Sequence, residues 1–307
     1  MIKSFIIIFL TVISGYIFSY FYGNKKETFE NSLSDYLYYF ALPLTIFLKV
    51  INFEMKNMDF YIFIINSLPI IFLYLLIYSA YRFGIINASF ARTSMISSTL
   101  GNVVYLGFGV IQYNFGEHII PYAAVSVGIQ NLIIFSIGVF FINLICFEKS
   151  CIIIGTKKAF LNPIFLSTFI GFFFSLLDIS ISDFLNDFLV QVSKTTVPLA
   201  LFLIGVSIYG KKFNISYLKK VILISSLKLV ILPFISFIFI FLFAKFDIVS
   251  LVSFILYTMP VAIAAFVVAR DFELEKDVVA GSVIFTTVLY FIFYWIYIFL
   301  VNNFFYI

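Results

Sequence analysis

The chain has 307 residues, of which 63% are hydrophobic and 11% are charged, with a formal net charge of +4. A soluble domain carries roughly 25% charged residues, so this composition excludes a soluble enzyme, a nucleic-acid-binding module and a disordered tail. Because a bilayer span takes about 20 apolar residues, the sequence predicts an all-α polytopic membrane protein.

Ten apolar segments follow one another along the chain, and each is predicted to cross the membrane. They cover residues 4–22, 34–51, 60–80, 89–113, 119–145, 162–177, 187–209, 216–243, 249–269 and 278–301. The first segment lacks a small-residue cleavage site, so we interpret it as a retained span. A loop at 146–161 separates the five spans of 1–145 from the five of 162–307. Since each half has an odd number of spans, the two halves must be inverted relative to each other.

The loop lysines and arginines are concentrated on one predicted side of the membrane, where thirteen are found against three on the other side. The thirteen are Lys25, Lys26, Arg82, Arg92, Lys149, Lys157, Lys158, Lys211, Lys212, Lys219, Lys220, Arg270 and Lys276. Cytoplasmic loops carry an excess of positive charge. The sequence therefore predicts a protein of the cytoplasmic membrane with both termini outside.

Short motifs recur in the same order in the two halves. The pairs are Pro43–Leu48 with Pro198–Leu203 (both P-L-x-x-F-L), Leu68-Pro69 with Leu232-Pro233, Asn102-Val103 with Met259-Pro260, and Asn114-Phe115 with Asp271-Phe272. Such matches are typical of the inverted repeats of secondary transporters, whose substrate sites lie at broken helices near the bilayer midplane.

Spans 4 and 9 carry the residues that are least compatible with a continuous helix. Span 4 has Gly101, Asn102, Gly107 and Gly109 within nine residues, and span 9 has Thr258-Met259-Pro260 at its centre. Glycine weakens a helix and proline removes a backbone hydrogen bond. We therefore predict that helices 4 and 9 are broken and cross each other; the alternative is two kinked helices without ligands.

Polar side chains inside the predicted spans are candidates for function. The amide of Asn102 can bind a carboxylate or cap a helix end. For Gln130 and Asn131 the favoured interpretation is a hydrogen bond across to the broken helix, and contact with the substrate is the alternative. Lys228 and Lys194 either supply positive potential or snorkel to the interface, as Lys49 is expected to do.

No carboxylate lies deep within a predicted span, so the site is expected to favour an anion, most simply a small organic acid. Asp35, Asp59, Asp187 and Asp277 all lie at span ends. Cys146 and Cys151 have no zinc-type partners and the chain has no phosphate-binding glycine motif, so no metal, cofactor or enzymatic activity is expected. His118 is interpreted as a surface residue.

Several of these segments together resemble the auxin efflux carrier family, which includes bacterial organic-acid carriers. The matching stretches are Gly101–Gly107, Asn162-Pro163-Ile164 with Gly171, Pro198–Gly205, Lys228–Pro233, and Met259–Ala262 with Val268–Arg270. The resemblance runs from about 95 to 290. It departs from the family pattern at Gly109, where a proline is frequent.

The resemblance implies a scaffold domain of helices 1, 2, 6 and 7 that forms a homodimer, and a transport domain of helices 3–5 and 8–10. It also implies that Asn102 and Pro260 contact a small carboxylate. The candidate substrate-binding residues are Gly101, Asn102, Tyr105, Gly107, Asn131, Lys228, Thr258 and Pro260.

Three functions remain open from the sequence. The first is a carrier for an organic anion. The second is a sodium- or proton-coupled symporter or antiporter of the bile-acid-symporter-like architecture, which would need oxygen ligands near the crossing for sodium. The third is a membrane-embedded sensor or assembly protein, which would not need two matched helix breaks.

The predicted orientation can be tested by cysteine labelling in a variant whose own two cysteines are replaced by serine. Lys56→Cys and Lys245→Cys should react with an impermeant maleimide on intact cells, whereas Lys157→Cys and Lys212→Cys should react only after permeabilisation. External labelling at position 212 would show that the orientation is reversed.

Overall fold

The computed structural model describes residues 2–51, 60–145, 163–210, 215–272 and 274–304. Within these ranges the chain forms fifteen α-helices, and no named β-strand is present. They are α1 Ile2–Tyr22, α2 Lys26–Tyr36, α3 Leu42–Ile51, α4 Tyr61–Arg82, α5 Ala88–Thr99, α6 Phe108–Phe115, α7 Ile120–Ile133, α8 Val139–Ile145, α9 Pro163–Leu176, α10 Asp183–Ile208, α11 Ile215–Ser226, α12 Leu232–Phe243, α13 Ile248–Thr258, α14 Ile263–Asp271 and α15 Lys276–Phe304.

Four π-helical turns join consecutive helices. They are Leu37–Ala41, Val103–Gly107, Ile134–Gly138 and Leu227–Ile231. Such turns add one residue to a helical turn and frequently lie at functional sites. Two of them, at 103–107 and 227–231, belong to the site described below.

Helical structure occupies each of the ten apolar segments, and four helical stretches of the described residues are long and apolar enough to cross a membrane by themselves. These are Tyr61–Arg82, Val125–Ile145, Ser216–Phe243 and Lys276–Val301. The all-helical, membrane-type fold is therefore confirmed, while the ten-span arrangement stays a prediction. The predicted loop 146–161, with Cys146 and Cys151, lies outside the described residues, as does the side chain of Lys49.

Helices α1 and α10 pack backbone to backbone through glycine. A Cβ added to Gly15 would overlap the carbonyl oxygen of Phe202, and one added to Gly205 would overlap that of Val12. Ser19, one turn after Gly15, donates to the carbonyl of Val206 at 3.4 Å. Small residues at helix interfaces permit this close approach inside membranes, so these glycines set the distance between the two helices.

The contact between α3 and α9 also joins the two halves of the chain, but here the glycine belongs to the second half and packs mainly against a valine side chain. A Cβ added to Gly171 of α9 would lie 2.9 Å from Val50 Cβ and 3.5 Å from the carbonyl oxygen of Phe47. Gly171 follows Gly15 by 156 residues and Phe202 follows Phe47 by 155 residues (171 − 15 and 202 − 47). Both values are close to the offset of the P-L-x-x-F-L motifs.

The other helices form a second group around α4. Helix α4 packs against α12 and α7, α13 packs against α7, and α15 packs against α11. Buried residues of this group include Tyr74, Tyr257 and Tyr290, each with a relative exposure of 1% or less. The two broken helices are held inside this group, at α5 and α13.

The glycine contact between α1 and α10 predicts a difference between two glycine-to-alanine substitutions. Gly205→Ala places a methyl group against the α1 backbone and should lower stability by about 1–3 kcal/mol through overpacking. Gly109→Ala adds a methyl group where no atom lies within 4 Å, and should be neutral or stabilising by up to about 1 kcal/mol. Thermal unfolding monitored by size-exclusion chromatography measures both; equal midpoints would contradict the close contact.

Candidate functional site at the crossing of two broken helices

Two helices stop partway at a threonine. Helix α5 ends at Thr99 and α13 ends at Thr258, and the following residues, Leu100 (ψ 98°) and Met259 (ψ 144°), are extended. Thr99 Oγ1 donates to the carbonyl of Met95 and Thr258 Oγ1 donates to that of Ile255, both at 2.7 Å. The predicted breaks are therefore present, because glycine and asparagine follow one helix end and proline follows the other.

The extended segments that follow the two helix ends pair with each other. The Asn102 amide donates to the Pro260 carbonyl and the Ala262 amide donates to the Leu100 carbonyl, each at 2.8 Å. Gly101 and Val261 lie opposite each other between these bonds as an antiparallel pair. Backbone groups without an intrahelical partner must be paired within a membrane protein, and here each break supplies the partners of the other.

The register of this pairing differs from the register predicted from the sequence. The motif offset of 157 equates Asn102 with Met259. In the two backbone bonds, however, Asn102 and Ala262 are the donors and Leu100 and Pro260 are the acceptors. The bonds therefore relate residues that are 160 apart (262 − 102 and 260 − 100). Asn102 and Pro260 are thus hydrogen-bonded partners rather than equivalent positions. The difference arises because antiparallel pairing is set by the two backbones and not by the motifs.

Asn102 is buried at the start of the second part of the broken helix. Its carbonyl accepts bonds from the amides of Leu106 and Gly107 at 3.2 and 3.1 Å. Its side chain makes no capping hydrogen bond, although its residue exposure is only 5%. The described geometry therefore does not favour a capping role for Asn102, and leaves its amide available to a ligand.

Lys228 lies directly against the crossing. It belongs to the π-helical turn Leu227–Ile231, has a relative exposure of 1%, and its Nζ donates to the Thr99 carbonyl at 3.5 Å. A Cβ added to Gly101 would lie 2.9 Å from Nζ, so a side chain at this position would displace the ammonium. The carboxyl end of a helix attracts a cation, which positions the ammonium at the end of α5.

Gly107 allows α13 to approach the same crossing from another direction. A Cβ on Gly107 would lie 3.1 Å from Leu256 Cδ2 and 3.2 Å from Met259 Cγ. The π-helical turn that ends at Gly107 therefore packs against α13 immediately before its break. Two of the glycines predicted in the site thus act by permitting close contacts.

Two hydroxyl groups from outside the crossing fix its backbone and side chains. Thr286 of α15 accepts a hydrogen bond from the Val261 amide at 3.0 Å and donates to the Ser282 carbonyl at 2.6 Å. The hydroxyls of Tyr74 and Thr99 are 2.9 Å apart. The extended segment at Val261 is thus held from one side by α5 and from the other by α15.

A network of neutral polar side chains links α4, α7 and α13. Asn66 donates to Ser253 Oγ at 2.9 Å and to Ser126 Oγ at 3.3 Å, and accepts from Gln130 Nε2 at 2.9 Å. Tyr257 donates to the Asn66 carbonyl at 2.7 Å. Gln130 thus bonds to Asn66 of α4 and not directly to a broken helix, and Asn66 in turn bonds to Ser253 of α13.

The remaining predicted residues have different positions. Thr258 is buried with its hydroxyl donating to its own helix. Asn131 is half-buried on α7, which contacts the π-helical turn 103–107. The side chain of Tyr105 lies outside the described part of the chain. Lys194 is exposed on α10 and takes no part in the crossing.

Sequence reasoning missed four residues that hold the site, namely Asn66, Tyr74, Thr99 and Thr286. Asn66 was detectable as the one amide in the apolar segment 60–80. The hydroxyl groups were not distinguishable from the many serines, threonines and tyrosines of the other spans. A hydroxyl can bond to a carbonyl of its own helix, so its presence in a span does not by itself indicate a contact with another helix.

Two discontinuous helices whose breaks pair inside a bundle of apolar helices form the architecture of a membrane transporter. Residues 148–298 match the family described as membrane transport protein, which agrees with the resemblance to auxin efflux carriers. The match includes Lys228 and Pro260 but not Asn102. No curated protein matches the chain.

The bond between Val261 and Thr286 predicts a specific loss of stability. Thr286→Val leaves the buried Val261 amide without a partner and should cost about 1–3 kcal/mol. Thr287→Val is the matched control, because the Thr287 hydroxyl donates only to the Val283 carbonyl of its own helix. Thermal midpoints of the purified variants provide the comparison, and a larger loss for the control would refute the role of Thr286.

Proposed function

We propose that the protein is a secondary carrier that moves a small organic anion across the membrane by alternating access. The observation that carries this proposal is the buried ammonium of Lys228 at the crossing of the two broken helices. The Asn102 amide lies in the same crossing and makes no capping bond. A cation and an amide donor held together at broken helices suit a carboxylate.

The helix contacts support a division into two domains. Helices α1, α3, α9 and α10, from spans 1, 2, 6 and 7, pack on one another and would form the scaffold, through which two copies would associate as a homodimer. The second group, which contains α5 and α13, would form the transport domain and move against it. Equivalent glycine contacts at Gly15 and Gly171 support an inverted repeat of residues 1–145 and 162–307 joined by the loop 146–161.

In this proposal the chain lies in the cytoplasmic membrane with both termini outside, as its loop charges favour. The substrate would contact Asn102 and Lys228 directly. Gly101, Gly107 and Pro260 would shape the site through their backbones, while Asn131 would line the path beside the π-helical turn.

Sodium coupling, the second candidate mechanism, receives less support. A sodium site takes several oxygen ligands, usually with a carboxylate. The neutral oxygens of Asn66, Ser126 and Ser253 are close together, but they already bond to one another and to Gln130. A non-transporting sensor is disfavoured because it has no need of two breaks that satisfy each other.

Substitution of Asn102 tests the carrier. Asn102→Ala removes a donor from the site and should cost about 1–3 kcal/mol per lost buried bond, or about 5- to 150-fold in apparent affinity. Uptake of radiolabelled lactate, benzoate and malonate into proteoliposomes, with and without a sodium gradient, measures the effect. Asn303→Ala, at an exposed residue of α15, should behave as wild type.

Two further results would count against the proposal. One is unchanged uptake by Asn102→Ala combined with Pro260→Ala, since the proline change should let span 9 close its break. The other is uptake that depends absolutely on sodium, which would favour the bile-acid-symporter-like mechanism instead.

A further inference from the structure

Lys228 is the one cation that is fully buried among the residues the structure describes. Its Nζ has a single hydrogen bond there, to the Thr99 carbonyl at 3.5 Å, which is longer than the usual 2.7–3.2 Å for such a donor. The neighbouring Gly101 contributes no side chain, so this face of the ammonium meets only backbone.

The helices that pack on the turn carrying Lys228 supply no carboxylate to it. These helices are α5, α11, α12, α13 and α15. Their charged and titratable residues are Arg92 on α5, Tyr217, Lys219 and Lys220 on α11, Tyr257 on α13, and Lys276, Asp277, Tyr290, Tyr294 and Tyr297 on α15, with none on α12.

Two described acidic residues, Glu275 and Asp277, lie at the predicted cytoplasmic start of α15. Glu275 forms an ion pair with Lys220, and Asp277 is the second residue of α15, nine residues before Thr286 (286 − 277). No ion pair joins Lys228 to a carboxylate of the described residues. Among the described residues no carboxylate supplies the counter-charge of this ammonium, and a bound anion could supply it.

A buried ammonium without a counter-ion is costly, and such a group loses its proton instead. A carboxylate placed beside it reverses the preference, because opposite charges stabilise each other strongly where water is excluded. Binding of the anion and binding of a proton are then coupled at one nitrogen atom.

Building on the proposed function, we propose that Lys228 takes up one proton together with one monocarboxylate, so that the loaded carrier crosses as a neutral ion pair. The neutral amine plus a proton from solution becomes an ammonium, which the carboxylate accompanies; no bond of the substrate changes. On the other side the anion leaves and the proton follows it.

The charge balance also selects the class of substrate. Lys194 is exposed on α10, and Lys219 and Lys220 lie near the start of α11, where Lys220 pairs with Glu275. The crossing thus holds one positive charge and compensates one negative charge. A monocarboxylate leaves no residual charge in the site, whereas a dicarboxylate would carry one unpaired charge into the membrane.

The wild-type protein gives the first test, in proteoliposomes loaded with potassium and treated with valinomycin. Uptake of labelled lactate or benzoate, corrected for protein-free liposomes, should be independent of membrane potential within about twofold. A uniported monoanion would instead be excluded by about 50-fold per 100 mV of inside-negative potential. About one proton should enter with each anion, as measured by alkalinisation of weakly buffered medium.

Substitution of the lysine by arginine gives the second test. Arginine keeps its charge, so without a bound anion the site of Lys228→Arg would carry an unpaired charge across the membrane. This variant should therefore exchange external for internal lactate, but its empty site should not reorient. Net uptake should fall about tenfold or more while exchange stays within about threefold of wild type. Lys228→Met should lose both activities, and Lys194→Arg, at the exposed lysine, should retain both. Monodispersity and thermal midpoint identify variants that fail to fold.

The possible outcomes separate the two proposals. Uptake of lactate or benzoate that is driven by potential without proton entry overturns the proton coupling and leaves the anion carrier in place. Preference for malonate over both monocarboxylates overturns the substrate class. No uptake of any of the three probes overturns the proposed function itself. Equal net uptake by Lys228→Arg and wild type overturns the role of Lys228 even if protons enter.

Discussion

Backbone amides and carbonyls inside a membrane have no water to bind, and this constraint governs the two helices that stop at Thr99 and Thr258. Each stop exposes an amide and a carbonyl that a continuous helix would have used. The antiparallel pair around Gly101 and Val261 satisfies them mutually. The crossing is therefore stable only as a pair, because a single break would leave backbone groups unsatisfied at a cost of several kcal/mol each.

This mutual dependence determines what surrounds the crossing. Thr286 binds the amide of Val261, which points away from α5, and Lys228 binds the carbonyl at the end of α5. The Asn66 network fixes α13 to α4 and α7 one helical turn and more before the break. The helices beside the site thus act as a frame for two short extended segments.

The helices outside this frame use a different device. Gly15 and Gly205 bring α1 and α10 into backbone contact, and Gly171 of α9 lets the Val50 side chain of α3 approach. Backbone contact over several turns resists sliding, since any shift would bring side chains into the space of the glycines. In the proposed alternating-access mechanism, this glycine-packed unit would stay rigid while the unit that contains the crossing moves. Proton coupling through Lys228 would then need no further moving part.

The sequence by itself determined the all-helical membrane fold, because only helices satisfy every backbone group of an apolar segment internally. It also determined the breaks, because glycine, asparagine and proline oppose a continuous helix wherever they lie. The tertiary structure decided what no local rule contains. It set the register that pairs Asn102 with Pro260, turned the Thr258 hydroxyl back onto its own helix, and exposed Lys194 while burying Lys228. Two lysines in similar apolar sequences differ in this way because burial depends on which helices pack against each one, and packing partners lie far away along the chain.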